Sequence, residues 1–340
     1  MDKIFIEDIR ENDRLEAIFL VKEKHMAVSK NGKPYLNLKL GDRTGEMSAR
    51  VWDNAEYFSS LFEKDDFIKV KSRTSRYQND LQLVLFDLEK CSVDQVFIDE
   101  FLPKTDKNIE RMFRDLVEIC NGVKNSYLRE LLHLFFEDEE FTRQFKIAPA
   151  AKGLHHVYIG GLLEHSFCVA KLILDVVKHY NKINADLLLT GGILHDIGKI
   201  HELSYERSFD YTDEGRLLGH ITIGVEMIED KIVEIADFPS ELAMLLKHLI
   251  LSHHGHYEFG SPKRPKTIEA LILYYLDDMD AKIRGFQQFI EKEKHKSSKW
   301  TSYHKLFERY IYKDTALEDT VEENWSNFNS SHSDQNQNGR

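Results

Sequence analysis

Residues 185–201 read ADLLLTGGILHDIGKIH, a stretch that is apolar along most of its length and ionisable at its end. Leu187, Leu188, Leu189, Ile193 and Leu194 predict a mostly buried helix, yet His195, Asp196 and Lys199 follow in the same run. An apolar helix tolerates such polarity where something satisfies it. The spacing predicts a helix continuing through residue 199, with His195 and Lys199 four residues apart on one face and Asp196 beside them. Neutral imidazole and ionised carboxylate are ligands of divalent ions, and a nearby ammonium suits an anionic substrate. Taken alone, the His-Asp pair also reads as a capped, solvated helix end.

The same intrusion recurs on other predicted helices. In helix 160–180, His165 sits within the inward stripe Leu162, Val169, Leu172 and Val176. In helix 215–236, His220 shares a face with Leu217, Gly224 and Met227, and in helix 240–253, His253 continues Leu242, Leu245 and Leu249. Asp277 lies with Ala270, Leu273 and Ala281 in helix 267–294. One buried histidine is most often a satisfied core residue. His165, His195, Asp196, His220, His253 and Asp277 together call for a shared metal site. Six ligands exceed what one tetrahedral zinc needs, whereas two octahedral ions bridged by Asp196 use them all. His254 falls on the face of Lys247 and ranks behind His253 as a ligand; Asp280 shares the face of Asp277 and reads as a supporting or capping group. Lys199 is the candidate to meet an anionic substrate, its plainer role being to oppose a helix dipole. His155 and His156 precede the first ligand helix, either as contacts to an anionic substrate at the site mouth or as ordinary loop histidines.

Upstream, from about residue 14 to 96, the period changes to two. Leu36, Leu38 and Leu40 alternate with Asn37 and Lys39; GDRTG makes a turn, and Met47, Ala49 and Val51 alternate with Ser48, Arg50 and Trp52. Two more runs follow at 67–73 and 81–88, and within residues 14–96 a five-stranded small barrel of the OB-fold type is the most economical closure. With the leucines inside, the outer face carries Tyr35, Lys39, Arg50 and Trp52, and Lys69, Lys71, Arg73 and Arg76 add a basic run. Aromatics beside cations make a platform for single-stranded RNA or DNA, although any one of them also fits an ordinary solvated sheet face. Pro103 and the polar KTDKN segment mark a junction, followed by helices at 108–120, 125–137 and 138–147. The predicted organisation is a barrel at 1–98, a helical linker at 99–150 packing on the catalytic part, an all-α metal-binding domain at 151–312, and an acidic tail at 313–340 too poor in apolar residues to pack.

A chain of 340 residues with net charge −12 is not a generally basic nucleic-acid coat, but local patches still guide a polyanion. Three widely spaced cysteines, Cys91, Cys120 and Cys168, fit reduced thiols in a cytoplasm. The acidic opening MDKIFIEDIREND lacks the apolar core of a signal peptide, and no stretch approaches membrane-spanning length, so no membrane partner is expected.

His165, then His195-Asp196, then Asp277 in YLDDMDA resemble the H…HD…D signature of HD-superfamily metal-dependent phosphohydrolases, and HDIGK is a form common among its phosphodiesterase-like members. His220 and the SHHG with His253 and His254 resemble the extra histidines of the binuclear branch. An OB-fold before such a domain is similar to the YhaM-type 3′–5′ exoribonucleases of bacteria. The resemblance spans about residues 14–289, with AAKGLHH, GGLLEHS and HHGHYEFGSP as specific matches. It implies cleavage of RNA, and of single-stranded DNA as well, from the 3′ end to release 5′-mononucleotides, with two divalent ions per site, manganese first and Mg2+, Co2+ or Fe2+ as substitutes. The acidic tail and acidic overall charge depart from the pattern without touching the ligand set. A nucleotidase or cyclic-dinucleotide phosphodiesterase is one alternative, disfavoured because a small substrate needs no stacking platform. A non-enzymatic OB-fold protein with a structural metal is another, disfavoured because structural sites close with four ligands. A barrel joined to a helical body can serve its own site or a neighbour's, which leaves a homo-oligomer open.

Overall fold

The computed structural model describes residues 3–29, 31–77, 80–152, 157–205, 209–294 and 296–313. His155, His156 and residues 314–340 of the acidic tail lie outside them. The chain divides into two compact units, Met1–Lys282 and Ile283–Arg340.

Five strands form the N-terminal barrel: β1 (Arg14–Val28), β2 (Pro34–Asp42), β3 (Gly45–Val51), β4 (Phe67–Tyr77) and β5 (Asp80–Cys91), with a short helix α1 (Ala55–Ser59) after β3. The order around the barrel is β1-β2-β3-β5-β4, closed, with β3 and β5 parallel. Closure depends on β1, which pairs with β4 through Leu20 and with β2 from Leu20 onward, its register shifting between Val21 and Glu23. Such a bulge bends a strand enough to serve two sheets' worth of neighbours. The alternating run behaves as its period demands: Leu36 faces Val51, Leu38 faces Ala49 and Leu40 faces Met47 across the β2–β3 pair, and all six are buried.

The helical part follows through α2 (Ile109–Asn121), α3 (Ser126–Phe136), α4 (Glu139–Ile147), α5 (Gly161–Val176), α6 (Ala185–Leu194), α7 (Lys199–Glu202), α8 (Asp213–Leu217), α9 (Gly219–Val233), α10 (Ser240–Ser252) and α11 (Ile268–Lys292). Their starts are written in the sequence, since the Asn108, Asn125, Asp138, Asn184 and Thr212 side chains each accept a backbone N–H of the first turn. A junction cluster of Leu20, Phe67, Cys91, Phe101, Leu102 and Ile159 joins barrel to helices. The linker reinforces it where Thr105 N donates to Ile159 O and Ile159 N to Pro103 O.

Two expected helices are broken. The helix expected through residue 199 stops at Leu194; His195 caps it, and Lys199, Ile200 and His201 bond three residues back, to Asp196, Ile197 and Gly198. Lys199 therefore lies over Asp196 rather than on a common helix face with His195. The turn packs closely at Gly198, where a Cβ would lie 2.1 Å from His220 O and 2.7 Å from Gly224 N. The helix expected at 215–236 divides at Gly219, whose φ of +74° interrupts it, and Leu217 is 84 % exposed instead of sharing a buried face with His220.

Candidate metal centre and nucleic-acid surface

The glycine pair in α6 lets α5 and α10 approach it closely. A Cβ at Gly191 would lie 2.4 Å from Leu249 Cδ2 of α10, and one at Gly192 would lie 2.3 Å from Ile173 Cδ1 of α5. That approach brings His165, His195 and His253 into one buried cluster, each of them with no solvent exposure.

Two trios result, His165–His195–Asp277 and His220–His253–His254, each with one ligand atom per residue and all three atoms within 4.8 Å of one another. Asp196 stands between them. Its Oδ2 is 3.3 Å from His195 Nε2 and 3.6 Å from His165 Nε2, while its Oδ1 is 3.5 Å from His220 Nε2 and 3.6 Å from His253 Nε2. The other ring nitrogens are already committed, which fixes which nitrogen points inward. His165 Nδ1 is 2.8 Å from Asp280 Oδ2, His195 Nδ1 2.9 Å from Gly192 O, and His220 Nδ1 2.9 Å from Glu202 Oε1. His253 Nδ1 is 2.7 Å from Ile250 O and His254 Nδ1 2.8 Å from Phe259 O.

His165 Nε2 and His195 Nε2 meet at 3.1 Å, a contact satisfied by a proton on one ring or by a cation held between them. Asp196 Oδ1, His220 Nε2 and His253 Nε2 are buried without a hydrogen-bond partner among the described residues. Buried polar atoms left open in this way converge on the second trio and fit a divalent ion. The electrostatics agree. Burial opposes charge on Asp196, but Lys199 and His195 hold its carboxyl well below the usual range; burial likewise opposes charge on Asp277, and His165 and His195 hold it down. Burial disfavours a proton on His195, yet Asp196 and Asp277 carry its pKa up to about 10, which marks the first trio as a place built for positive charge. Burial, with neighbouring histidines, lowers His253 well below its ordinary value and lowers His254, so both are neutral as ligation requires.

His254 stands in the second trio alongside His253, contrary to its expected lower rank. Helix α10 ends at Ser252, and Gly255, with φ +75°, turns the chain, so His254 does not follow the helical phase of Lys247. Asp280 holds His165, and Lys199, buried, puts Nζ 2.6 Å from Asp196 Oδ2. Glu202 supports His220 although no sequence pattern points to it. It accepts from both the ring and the backbone N–H of His220 across a gap of 18 residues, and no periodicity announces such a pair.

On the barrel, Tyr35 and Trp52 stack with centroids 4.7 Å apart at 26°, and the Arg50 guanidinium lies 5.9, 5.7 and 4.6 Å from the rings of Tyr35, Trp52 and Tyr77. Arg50 Nε has no acceptor among the described residues. Arg73 lies 6.0 Å from the exposed Phe86 ring. Tyr77 extends the aromatic cluster around Arg50 beyond the residues expected there. The lysines behave differently: Lys39 pairs with Glu46, Lys69 with Glu16, Lys71 with Asp87, and Arg76 with Glu11, so acidic neighbours offset much of the basic run.

Residues 162–282 match the HD domain family and residues 20–90 match the OB-fold nucleic acid binding domain family. Fold and site together define an HD-type, divalent-metal-dependent hydrolase carrying an N-terminal OB-fold that binds single-stranded nucleic acid. The chain is 34% identical over 283 residues to the 3′-5′ exoribonuclease YhaM of a Geobacillus species, covering 83% of this chain and 86% of that one. Identity to the 3′-5′ exoribonuclease YhaM of Bacillus subtilis is also 34%, over 83% and 89% of the two chains. The chain belongs to the YhaM family of exoribonucleases. Its barrel is similar to the second OB-fold domain of replication protein A from Methanococcus maripaludis, at 17% identity and a TM-score of 0.23, covering 27% of this chain and 96% of that one. Among the described residues no helix is long and apolar enough to cross a membrane.

Proposed function

We propose that this chain is a 3′–5′ exoribonuclease that also accepts single-stranded DNA, hydrolysing phosphodiester bonds at a binuclear centre and releasing 5′-mononucleotides. The observation that carries this reading is the pair of trios joined by Asp196, with three buried ligand-type atoms left open. His165, His195, Asp196 and Asp277 would hold one ion, and Asp196, His220, His253 and His254 the other. Mixed imidazole and carboxylate without thiolate suits Mn2+ best, with Mg2+, Co2+ or Fe2+ as substitutes. Divalent ions there supply Lewis-acid charge opposite a phosphoryl group and make water acidic enough to ionise near neutral pH.

The chain's own residues do the rest. Asp280, Glu202 and the Gly192, Ile250 and Phe259 carbonyls hold the five imidazoles in fixed tautomer and orientation. Lys199 keeps Asp196 ionised and presents its ammonium where non-bridging phosphate oxygens or the departing 3′-oxygen gain negative charge. Arg50, Tyr35, Trp52 and Tyr77 stack and track the strand, with the barrel at 1–98 delivering it through the linker at 99–150 to the catalytic domain at 151–312. We place the protein in the cytoplasm, in keeping with its three widely spaced cysteines Cys91, Cys120 and Cys168; a barrel joined to a helical body can serve its own site or, in a homo-oligomer, a neighbour's. The test is digestion of a 5′-labelled single-stranded RNA with Mn2+. A ladder shortening from the 3′ end with 5′-mononucleotide product is expected; no shortening in metal-replete protein would refute the reading.

A further inference from the structure

Immediately after the second trio the chain reads GHYEFGSPKRPK over residues 255–266, three basic side chains against one acid within a chain of net charge −12. The loop is pinned. Gly255 and Gly260 have φ of +75° and +82°, Lys263 N donates to Leu251 O, and Lys266 N donates to His248 Nε2. Ser261 Oγ lies 3.1 Å from Leu251 O and 2.6 Å from Lys263 O, and Pro262 and Pro265 restrict the segment further. Its backbone also belongs to the centre, since Phe259 O is the partner of His254 Nδ1.

On this fixed frame the side chains point away from the core. The rings of Tyr257 and Phe259 are 61 % and 62 % exposed, which no packing role requires. Lys263, Arg264 and Lys266 are exposed and, among the described residues, pair with no carboxylate, unlike Lys39, Lys69 and Lys71 on the barrel. Exposed rings and unneutralised cations, held by hydrogen bonds to a ligand histidine and its helix, are the components of a single-strand grip.

We propose that residues 256–266 form a second nucleic-acid contact surface, at the metal centre itself, in which Tyr257 and Phe259 stack on bases and Lys263, Arg264 and Lys266 take phosphates of the RNA 3′ segment. This rests on the nuclease reading above. The surface complements the barrel: the barrel holds the strand along its length, and the loop fixes the end about to be cut.

The test uses the full chain and a fluorescent single-stranded RNA under chelation, where binding is read without cutting. Replacing all three cations, K263Q with R264Q and K266Q, removes up to three phosphate contacts, and each takes about 0.7 from the slope of log affinity against log salt. The slope is expected to fall by about 2. The charge-preserving set K263R, R264K and K266R is expected to keep the wild-type slope. Y257A with F259A is expected to weaken binding about thirtyfold or more at unchanged slope. Metal content, measured after reloading, checks that each variant keeps its centre. Wild-type slope and affinity in the neutralised variant would overturn the proposal while leaving the nuclease reading intact, provided the wild-type chain shortens RNA. A changed sedimentation coefficient with an unchanged slope would also overturn it, assigning the loop to a contact between chains. Failure of the wild-type chain to shorten RNA would remove the nuclease reading itself.

Discussion

Replacing Asp196 by Asn should separate what the carboxylate does for stability from what it does for turnover. In the native chain Oδ2 faces the first trio and Lys199 Nζ, at 2.6 Å, while Oδ1 faces the second trio at 3.5 and 3.6 Å. An amide keeps the shape but offers one oxygen and one NH2, so one trio loses its acceptor and meets a donor. It also leaves the Lys199 ammonium, only 9 % exposed, without its counter-charge. Breaking a buried pair from one side costs about 3–5 kcal/mol, a substantial part of a typical domain stability of roughly 5–15 kcal/mol. Turnover should fall further than stability, by at least a thousandfold, about 4 kcal/mol of activation free energy. The assay is calorimetric melting beside steady-state RNA digestion, for D196N, K199M and the double variant. Since Met removes the orphaned charge, the double variant should recover most of the lost stability and none of the lost turnover. D196N retaining a tenth of wild-type kcat would refute the assignment of Asp196 as the shared group, and a double variant no more stable than D196N would refute the pairing with Lys199.

Trp52→Ala should weaken a long single strand by about 1–3 kcal/mol through lost stacking, read as a larger rise in KM for a long oligonucleotide than for a dinucleotide; equal rises would make Trp52 a packing residue. Gly198→Ala must push a Cβ against the His220 carbonyl 2.1 Å away, so a loss of about 1–3 kcal/mol is expected from overpacking, visible as a lower Tm, and an unchanged Tm would show that the turn relaxes freely. Glu202→Gln should leave the fold standing but loosen the His220 ring, lowering metal affinity about 10- to 100-fold; titration of apo-protein with Mn2+ that gives the wild-type affinity would remove Glu202 from the centre.

Local periodicity makes much of this protein legible in its sequence. Leu36, Leu38 and Leu40 against Met47, Ala49 and Val51 declare a hairpin whose inside and outside cannot be exchanged without exposing six apolar side chains. Buried ionisable residues on apolar helices declare a site, because few other arrangements satisfy them. Features that periodicity does not reveal depend on contacts between distant segments. The close approach of Gly198 to the backbone of α9 and the pairing of Glu202 with His220 both join segments that local periodicity does not relate. The partial neutralisation of Lys69 and Lys71 by Glu16 and Asp87 depends on which strands flank β4, and β1 is far from it in the chain. Helical phase alone misplaces His254, because it carries the α10 periodicity past Ser252 and into a turn that Gly255 bends away.

The binuclear centre is tested most directly by RNA turnover as a function of Mn2+ bound per chain, measured by elemental analysis on apo-protein reloaded in steps. With two trios sharing Asp196, binding should saturate at two ions per chain, and turnover should appear with the second equivalent. Saturation at one ion with full turnover, or full turnover in protein verified to be metal-free, would contradict it.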